Sequence, residues 1–225
     1  MSFHKWYIIV TIMKSKKNLL EQLKLLPYFS KDSLYQLGKQ LELADTTVDT
    51  YISRFLKYRE ILPLKKGLYV SADFFSKNKN DISYSFYLAN ILRTPSYVSS
   101  WAALQFYNLT TEAIYTITSM TPKVTRNYST KVGNFAYQSI KRTLFTDFYL
   151  IKKDTGSQTN RFDFFIASAA KALFDLLYFK THQFRGIQQK DIKILIEELR
   201  INISEMDKKE KFRFNTMIKD YFNDE

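Results

Sequence analysis

Hydroxyl and cationic side chains recur at helical spacing between residues 45 and 58, in "DTTVDTYISRFLKY". At about 100° per residue, one side of a helix over this segment carries short hydroxyls towards its N-terminal end and cations further on. We call this set the polar strip; its members are Thr46, Thr47, Thr50, Ser53, Arg54 and Lys57. A recognition helix reads base edges from its N-terminal half and binds phosphates with hydroxyl and basic side chains. The polar strip therefore predicts contact with duplex DNA; the alternative is the ordinary solvated face of an amphipathic helix.

Two more cations follow the strip on a predicted hairpin, in "ILPLKKGLYVS". Stretches 61–64 and 68–71 have the residues of two strands, and Lys65-Lys66-Gly67 between them predicts a tight turn. Lys65 and Lys66 would then meet the DNA backbone beside the helix. We count both lysines among the candidate DNA-binding residues.

Acidic residues at the start of the same helix have a different role. Asp45 is predicted to cap the helix, which runs to about Tyr58. Asp49 has two interpretations: it stabilises the positive end of the helix dipole, or it accepts a hydrogen bond from a cytosine amino group. We favour the first.

Three amphipathic helices and the hairpin make up the N-terminal part of the chain. Leucines at helical spacing predict a first helix that ends at Pro27 and a second that begins after Ser30 as its N-cap. Gly38 within the second helix predicts a close crossing with a neighbouring helix. The third helix would pack through an apolar side made of Val48, Ile52, Phe55 and Leu56. This order, over residues 14–75, predicts a winged helix-turn-helix domain, preceded by an N-terminal extension, 1–13.

The chain from residue 82 onward has the mixed pattern of an α+β domain. Helical periodicity is found in "ISYSFYLANILR", "SSWAALQFYNL" and "SAAKALFDLLYFKT", and again over 188–200 and 204–222. β-Branched and aromatic residues indicate strands in "AIYTITSMT", "NFAYQSIK", "FYLIKKD" and "RFDFFIA", with the loop "TGSQTN" before the last. The polar stretch 76–81 is the predicted boundary. We therefore predict a mixed α+β second domain over 82–225.

A second basic segment, "TPKVTRNYSTK", is predicted to be a loop between two of these strands. Lys123, Arg126 and Lys131 alternate there with Tyr128 and with hydroxyl side chains. Cations interleaved with an aromatic ring suit phosphate contact and base stacking, so the segment is a candidate surface for RNA. The alternative is a solvated loop.

Composition limits the classes of function. The 225 residues carry a net charge of +12, and the excess is concentrated early: 11 basic and 6 acidic side chains over 14–67, 8 and 4 over 73–149, but 14 and 12 over 150–225. This distribution favours a polyanionic partner. The chain has no cysteine, and His4 and His182 cannot form a metal site alone, so we expect neither a metal nor another cofactor.

Recognisable catalytic signatures are missing from the sequence. It has no Gly-rich phosphate loop, Ser-His-Asp set or cysteine nucleophile, so we expect no enzyme. Asp163, Glu197 and Glu198 are an alternative, as metal-binding carboxylates of a nuclease, although their spacing fixes no geometry. Lys171 and Asp175 lie one helical turn apart and are interpreted as an intrahelical ion pair.

The longest apolar run near the start, "WYIIVTIM", is too short to span a bilayer. No small-residue cleavage site follows it, so a signal peptide is not predicted. The sequence therefore favours a cytoplasmic location without a membrane partner.

Three blocks after residue 93 resemble the AbiE-type antitoxins, a type IV family described as viral-defence transcriptional regulators. The blocks are "RTPSYVSSWAALQFYNL", "YTITSMTPKVTRNYSTKVGNFAYQSIKRTLF" and "IASAAKALFDLLYF". The matching residues are Pro95, Ser96, Tyr97, Val98, Ser99, Ala103, Leu104, Tyr115, Thr116, Thr118, Gly133, Phe135, Tyr137, Ile140, Lys141, Lys171, Ala172, Leu173, Asp175, Leu177 and Tyr178. With the N-terminal part, the resemblance covers about 16–180. The chain departs from the family at Ala169-Ala170, where Pro-Glu is usual, and at Asp147, where Gly is common.

The resemblance implies an antitoxin with two domains. Its winged helix would bind inverted repeats in its own promoter and repress its operon, and its second domain would neutralise a cognate nucleotidyltransferase toxin without needing a stable complex. The candidate antitoxin surface consists of Lys123, Arg126, Tyr128, Lys131 and Lys141. The alternative is a winged-helix repressor that lacks antitoxin activity and whose second domain senses a small ligand.

Overall fold

The computed structural model describes residues 16–152 and 162–223 of the chain. The predicted N-terminal extension, 1–13, and the loop "TGSQTN" lie outside these residues. Within them, the chain has a mixed α+β fold with a helical N-terminal region. No helix in the described ranges is both long and apolar enough to cross a membrane.

The chain forms two compact units. The first unit extends to Ile82 and also includes the short segment Thr130–Val132. The second unit contains Ser83–Ser129 and the residues from Gly133 onward. The polar strip and the predicted hairpin both belong to the first unit, and the candidate antitoxin surface belongs mainly to the second.

The first unit places three helices before a hairpin. Its elements are α1 (16–23), β1 (Phe29–Ser30), α2 (Lys31–Gln40), α3 (Asp45–Lys57), β2 (Ile61–Lys65), β3 (Leu68–Ser71) and α4 (Ala72–Asn78). Helix α4 extends into the stretch 76–81, which the sequence predicts to be a polar boundary. It forms because Ser71 caps it, accepting from the backbone N–H of Phe74 at 3.5 Å, and because Phe74 is buried.

Helices α2 and α3 cross closely. The predicted cap is confirmed, since Ser30 Oγ accepts from a backbone N–H in the first turn of α2 at 3.0 Å. The close crossing at Gly38 is also confirmed, because a Cβ atom there would lie 2.4 Å from Cγ2 of the buried Val48. The prediction that Asp45 caps α3 is wrong: Ala44 is the N-cap and makes no side-chain bond. Asp45 is instead the first helical residue, where its charge still stabilises the helix dipole.

The hairpin belongs to a three-stranded antiparallel sheet in the order β1-β3-β2. Lys65 pairs with Leu68 and so lies in β2, which leaves Lys66-Gly67 as the turn rather than the three residues predicted. Beneath the sheet and helices lies an apolar core, whose members include Leu19, Leu23, Phe29, Leu34, Val48, Tyr51, Phe55 and Ile61. This core fixes which side of α3 is turned outward.

The second unit is built on a mixed sheet, in which the described strands have the order β6-β7-β5-β4-β9-β8. Its elements are α5 (Ile82–Leu92), β4 (Tyr97–Val98), α6 (Ser100–Phe106), β5 (Thr116–Thr121), β6 (Arg126–Ser129), β7 (Asn134–Ser139), β8 (Phe148–Ile151), β9 (Phe164–Ala167), α7 (Ala169–Lys180), α8 (Ile192–Glu198) and α9 (Lys208–Asn223). The β5/β7 and β4/β9 pairs are parallel and the others antiparallel. Helix α7 is almost fully buried and packs against both α6 and α9.

Two strands of this sheet, β4 and β6, are missing from the sequence prediction. The predicted loop after β5 contains β6, which pairs with β7 through Tyr128 and Phe135. Its residues are mostly polar and exposed because β6 is an edge strand, so it lacks the alternating apolar pattern that identifies a strand. The last helix also begins at Lys208 rather than at 204, since Ile203–Glu205 forms a separate 3₁₀ turn.

Candidate nucleic-acid interface

Helix α3 is divided into a buried side and an exposed side. Val48, Tyr51, Ile52 and Phe55 are buried, which holds one side of the helix against the core of the first unit. The polar strip lies on the other side: Thr46, Thr50, Ser53, Arg54 and Lys57 are exposed and Thr47 is half-buried. The helix therefore presents hydroxyl groups near its N-terminal end and cations near its C-terminal end.

Two hydroxyls of the polar strip use their protons within the helix. Thr50 Oγ1 donates to the carbonyl of Thr46 and Ser53 Oγ donates to the carbonyl of Asp49, both at 3.0 Å. A hydroxyl that donates backward in this way keeps its oxygen lone pairs as acceptors. In this arrangement the two hydroxyl oxygens can accept from an amino group on a base edge. They have no proton left to donate to a phosphate oxygen.

Asp49 joins α3 to the start of α2. Its Oδ1 accepts from Lys31 Nζ at 2.9 Å and from the Tyr35 hydroxyl at 2.9 Å. The Lys31 ammonium, and then the Tyr35 hydroxyl, hold the pKa of the Asp49 carboxyl below its ordinary value. Hydrogen bonds with Tyr35 and Asp49 raise the pKa of Lys31. We call these three residues the surface cluster. Asp49 is not a cap of α3, because Ala44 is the N-cap and the Asp49 carboxylate bonds to α2 instead. Its interaction with the helix dipole stays a prediction.

The hairpin turn supplies a second group of cations. Lys65 and Lys66 are both exposed, and Gly67 has a φ of 76°, the left-handed conformation that favours glycine. The carbonyl of Gly67 accepts from the backbone N–H of Lys31 at 2.9 Å. This bond ties the turn to the start of α2, so the turn is positioned by the same helix that holds Asp49.

A surface depression connects α3 with the hairpin turn. It is lined by Lys31, Asp32, Asp49, Ile52, Ser53, Leu56, Lys66, Gly67 and Tyr69. Ser53 of the polar strip and Lys66 of the turn thus line the same depression. The structure therefore brings one residue of each predicted group to the same depression, and the other six do not line it.

Charge is unevenly spread over this surface. Exposed cations are found at Arg54 and Lys57 in the second half of α3 and on the hairpin, whereas exposed carboxylates are found at Asp32 and Asp45. Since the charge of Asp49 is matched by Lys31, the cationic part lies along the C-terminal half of α3 and the turn. A phosphate backbone would be attracted there, while the N-terminal half of α3 is left for uncharged contacts.

The candidate antitoxin surface is only partly available. Lys123 Nζ donates to the carbonyl of Thr94 at 2.5 Å, and the Tyr128 ring packs edge-on against Tyr137 with centroids 5.7 Å apart. Arg126, Lys131 and Lys141 are exposed, but Lys141 lines a cavity of the second unit that none of the other four lines.

Lys171 and Asp175 form the predicted ion pair, at 2.7 Å, but it is buried. The Asp175 carboxylate also accepts from Ser99 Oγ at 2.7 Å and from the Tyr97 hydroxyl at 3.1 Å. Burial raises the pKa of Asp175 above its ordinary value, and Lys171 acts in the opposite direction. We call these four residues the buried cluster; sequence reasoning found the pair but neither its burial nor its two hydroxyl partners.

The alternative nuclease site is not assembled. The ranges covered by the structure contain no group of three or more His, Cys, Asp or Glu side chains that could hold a metal ion, so Asp163, Glu197 and Glu198 do not meet as one.

Comparison with models of known protein families finds no match for this chain, and comparison with curated proteins finds none either.

Proposed function

We propose that the first unit is a winged helix-turn-helix domain that binds duplex DNA. Its α3 would lie in the major groove with the polar strip towards the bases, and Lys65 and Lys66 would contact the backbone beside it. The observation that supports this most directly is the exposed polar strip, held outward by the buried side of α3, with Ser53 lining the same depression as Lys66 of the hairpin turn. The net charge of +12 gives the electrostatic attraction that such binding requires.

DNA binding by purified full-length chain tests this proposal. With a duplex covering the region upstream of the coding sequence, fluorescence anisotropy gives the affinity as a function of salt. We expect Arg54→Ala, and separately the pair Lys65→Ala and Lys66→Ala, to weaken binding by about tenfold. Each lost phosphate contact should also reduce the log–log salt slope by about 0.9.

A matched control keeps this test specific. Lys79→Ala removes a cation of the first unit that belongs neither to the polar strip nor to the hairpin, and we expect it to leave affinity and slope nearly unchanged. Equal effects of all three changes would indicate attraction by net charge alone, and the proposed docking of α3 would then be abandoned.

We further propose that the whole chain is an antitoxin of a type IV toxin–antitoxin system. It would neutralise a cognate nucleotidyltransferase toxin and repress its own operon through inverted repeats. The resemblance of the three sequence blocks to AbiE-type antitoxins supports this role. The antitoxin part of the proposal rests on the sequence of the second unit, and the repressor part rests on the polar strip.

Co-expression separates these two activities. We expect the full chain to restore growth when a nucleotidyltransferase encoded beside it is induced. The combined variant Arg54→Ala, Lys65→Ala and Lys66→Ala should lose repression of a promoter–reporter fusion and still restore growth. Failure of the unaltered chain to restore growth, with repression intact, would remove the antitoxin role.

That outcome would favour a second candidate, a winged-helix repressor controlled by a small ligand. One observation supports it specifically: the second unit has a cavity of about 320 Å³ with a buried lysine in its wall. Pockets that bind small molecules begin at about this size.

A further inference from the structure

The second unit contains a cavity whose wall combines charged and apolar side chains. Its volume is about 320 Å³, and it lies among the segment after β7, the middle of α7 and the end of α9. It is lined by Lys141, Thr143, Leu144, Thr146, Asp147, Lys171, Phe174, Met217, Asp220 and Tyr221. All of these residues belong to the second unit.

Lys171 is the least exposed charged group in this wall. Its side chain is only 2% exposed, and its Nζ donates to Asp175 Oδ1 at 2.7 Å. The same Nζ lies 4.9 Å from the centroid of the Phe174 ring, which also lines the cavity. An ammonium group has three N–H donors. Within the described ranges, one N–H of Lys171 donates to Asp175. A buried lysine at a cavity wall can therefore bind an acceptor on a ligand while keeping its bond to Asp175.

Asp147, which also lines the cavity, has a left-handed backbone conformation. Its φ is 56°, in the left-handed region that favours glycine, and its carbonyl accepts from the backbone N–H of Ser168 at 2.9 Å. A non-glycine residue in this region raises the energy of the fold by about 1 kcal/mol or more, and such residues cluster at functional sites. A carboxylate is thus placed at the cavity in a position where glycine would fit with less strain.

The charges of the wall define the ligand. Lys141 and Lys171 are cationic, Asp147 and Asp220 are anionic, and Asp175 lies behind Lys171. A simple anion would be attracted by the two ammonium groups and repelled by the carboxylates. A simple cation would be attracted by the carboxylates and repelled by the ammonium groups. A molecule that carries both charges avoids this conflict, because each of its ends meets the opposite charge.

Apart from Thr143 and Thr146, the rest of the wall is apolar. Leu144, Phe174, Met217 and the ring of Tyr221 provide a surface for an uncharged side chain. The cavity volume is near the lower end of the range of about 300 to 1,000 Å³ found for small-molecule pockets. We propose that this cavity binds a small zwitterion, an α-amino acid with an apolar side chain, whose carboxylate contacts Lys171 and Lys141 and whose ammonium group contacts Asp147 and Asp220.

Binding to the full chain is measured first with the common L-amino acids. At about 10 mM each, a ligand of the site raises the thermal unfolding temperature, because it binds the folded state alone. We expect stabilisation by at least one apolar amino acid and none by aspartate or lysine, whose additional charge has no partner. Absence of stabilisation by every apolar amino acid overturns the proposal.

The role of each ligand charge is then tested by calorimetry with matched probes. If phenylalanine binds, the probes are 3-phenylpropionate, which lacks the ammonium group, and phenethylamine, which lacks the carboxylate; for another side chain the corresponding acid and amine are used. Loss of either charge should weaken binding by at least about tenfold. An acid or amine that binds as tightly as the amino acid overturns the assignment of a zwitterion.

Two substitutions that leave the buried cluster intact locate the site. Asp147→Gly removes the carboxylate and fits the left-handed backbone, and Lys141→Met removes an exposed ammonium group. Each should weaken amino-acid binding by at least about tenfold without lowering the unfolding temperature. Lys219→Met, an exposed lysine on α9 outside the wall, is the control. Binding that is unchanged in the first two variants places the ligand elsewhere and overturns the proposal.

Discussion

Two lysine–aspartate pairs of this protein have nearly the same local geometry in very different surroundings. Lys31 and Asp49 lie 2.9 Å apart in the first unit, with 43% and 48% of their side chains exposed. Lys171 and Asp175 lie 2.7 Å apart in the second unit, with 2% and 0% exposed. In both pairs the carboxylate also accepts a hydrogen bond from a tyrosine hydroxyl. The largest difference between the pairs is burial, and Asp175 also accepts a hydrogen bond from Ser99.

Burial decides what each pair can do. Water screens an exposed pair, so its members can exchange one partner for another at little cost, as a surface that meets phosphates requires. The members of a buried pair cannot exchange partners in this way. When one charge is removed, the other stays in a protein interior that solvates it poorly. The surface cluster thus suits a binding role, and the buried cluster fixes the structure around the cavity of the second unit.

Loss of one buried charge should give the largest effect on stability. We expect Lys171→Met to lower the free energy of unfolding by about 3–5 kcal/mol, because it leaves the Asp175 carboxylate buried without its counter-charge. Urea denaturation measures this through Trp101, which becomes the single tryptophan when Trp6 is replaced by Phe. Lys180→Met, an exposed lysine of the same helix, is the control.

The double variant Lys171→Met, Asp175→Leu distinguishes a charge effect from a packing effect. If the uncompensated carboxylate causes the loss, the double variant should be more stable than Lys171→Met alone. A double variant that is less stable than the single one would show that the bonds of Asp175 with Tyr97 and Ser99 stabilise the fold more than its unpaired charge destabilises it.

Close packing at Gly38, in addition to the exposed Lys31–Asp49 ion pair, holds α2 to α3 in the first unit. A methyl group at Gly38 would lie 2.4 Å from Val48 Cγ2, so Gly38→Ala should destabilise the first unit by about 1–3 kcal/mol through overpacking. Far-UV circular dichroism during urea denaturation measures the loss. In the double variant Gly38→Ala, Val48→Ala the two effects should be less than additive, since the smaller side chain removes the clash. Strict additivity would contradict a direct contact.

The Lys171→Met variant should also depend on pH in a defined direction. Burial raises the pKa of Asp175 above its unfolded value near 3.8, and loss of Lys171 removes the interaction that opposes this rise. A raised carboxyl pKa gives stability that is present below the unfolded pKa and is lost as pH rises through the folded pKa. The variant should therefore be less destabilised near about pH 5 than near about pH 8. A destabilisation that is equal at both values would mean that Asp175 stays ionised without its partner.

Sequence periodicity predicts those features of the two units that depend only on residues close together in the sequence. The burial of Val48 and Phe55, the exposure of the polar strip and the spacing of Lys171 and Asp175 all follow from helical repeats. The close crossing at Gly38 is predicted because glycine destabilises a helix interior, so a close neighbouring helix is the expected cause of its presence there. These features need no knowledge of how distant segments meet.

Other features depend on contacts between residues far apart in sequence and were missed. Tyr35 and Asp49 are separated by 14 positions, and Tyr97 and Asp175 by 78, so neither hydrogen bond has a local signal. The same holds for the burial of Lys171 and for the cavity beside it. Likewise, no neighbouring residue predicts the left-handed backbone of Asp147.

The smallest effect on stability should come from the surface cluster. Lys31→Met and Asp49→Asn each break the 2.9 Å ion pair, yet water solvates whichever charge is left, so the free energy of unfolding should change much less than in Lys171→Met. Because the pKa of Asp49 is lowered, its contribution should be present near neutral pH and lost as pH falls through its folded pKa, below the ordinary value of 3.8. A double-mutant cycle at about 0.05 M and about 1 M salt measures the coupling, which should shrink at the higher concentration. A coupling that resists salt and equals that of Lys171 and Asp175 would mean that partner and geometry, rather than burial, set the strength of both pairs.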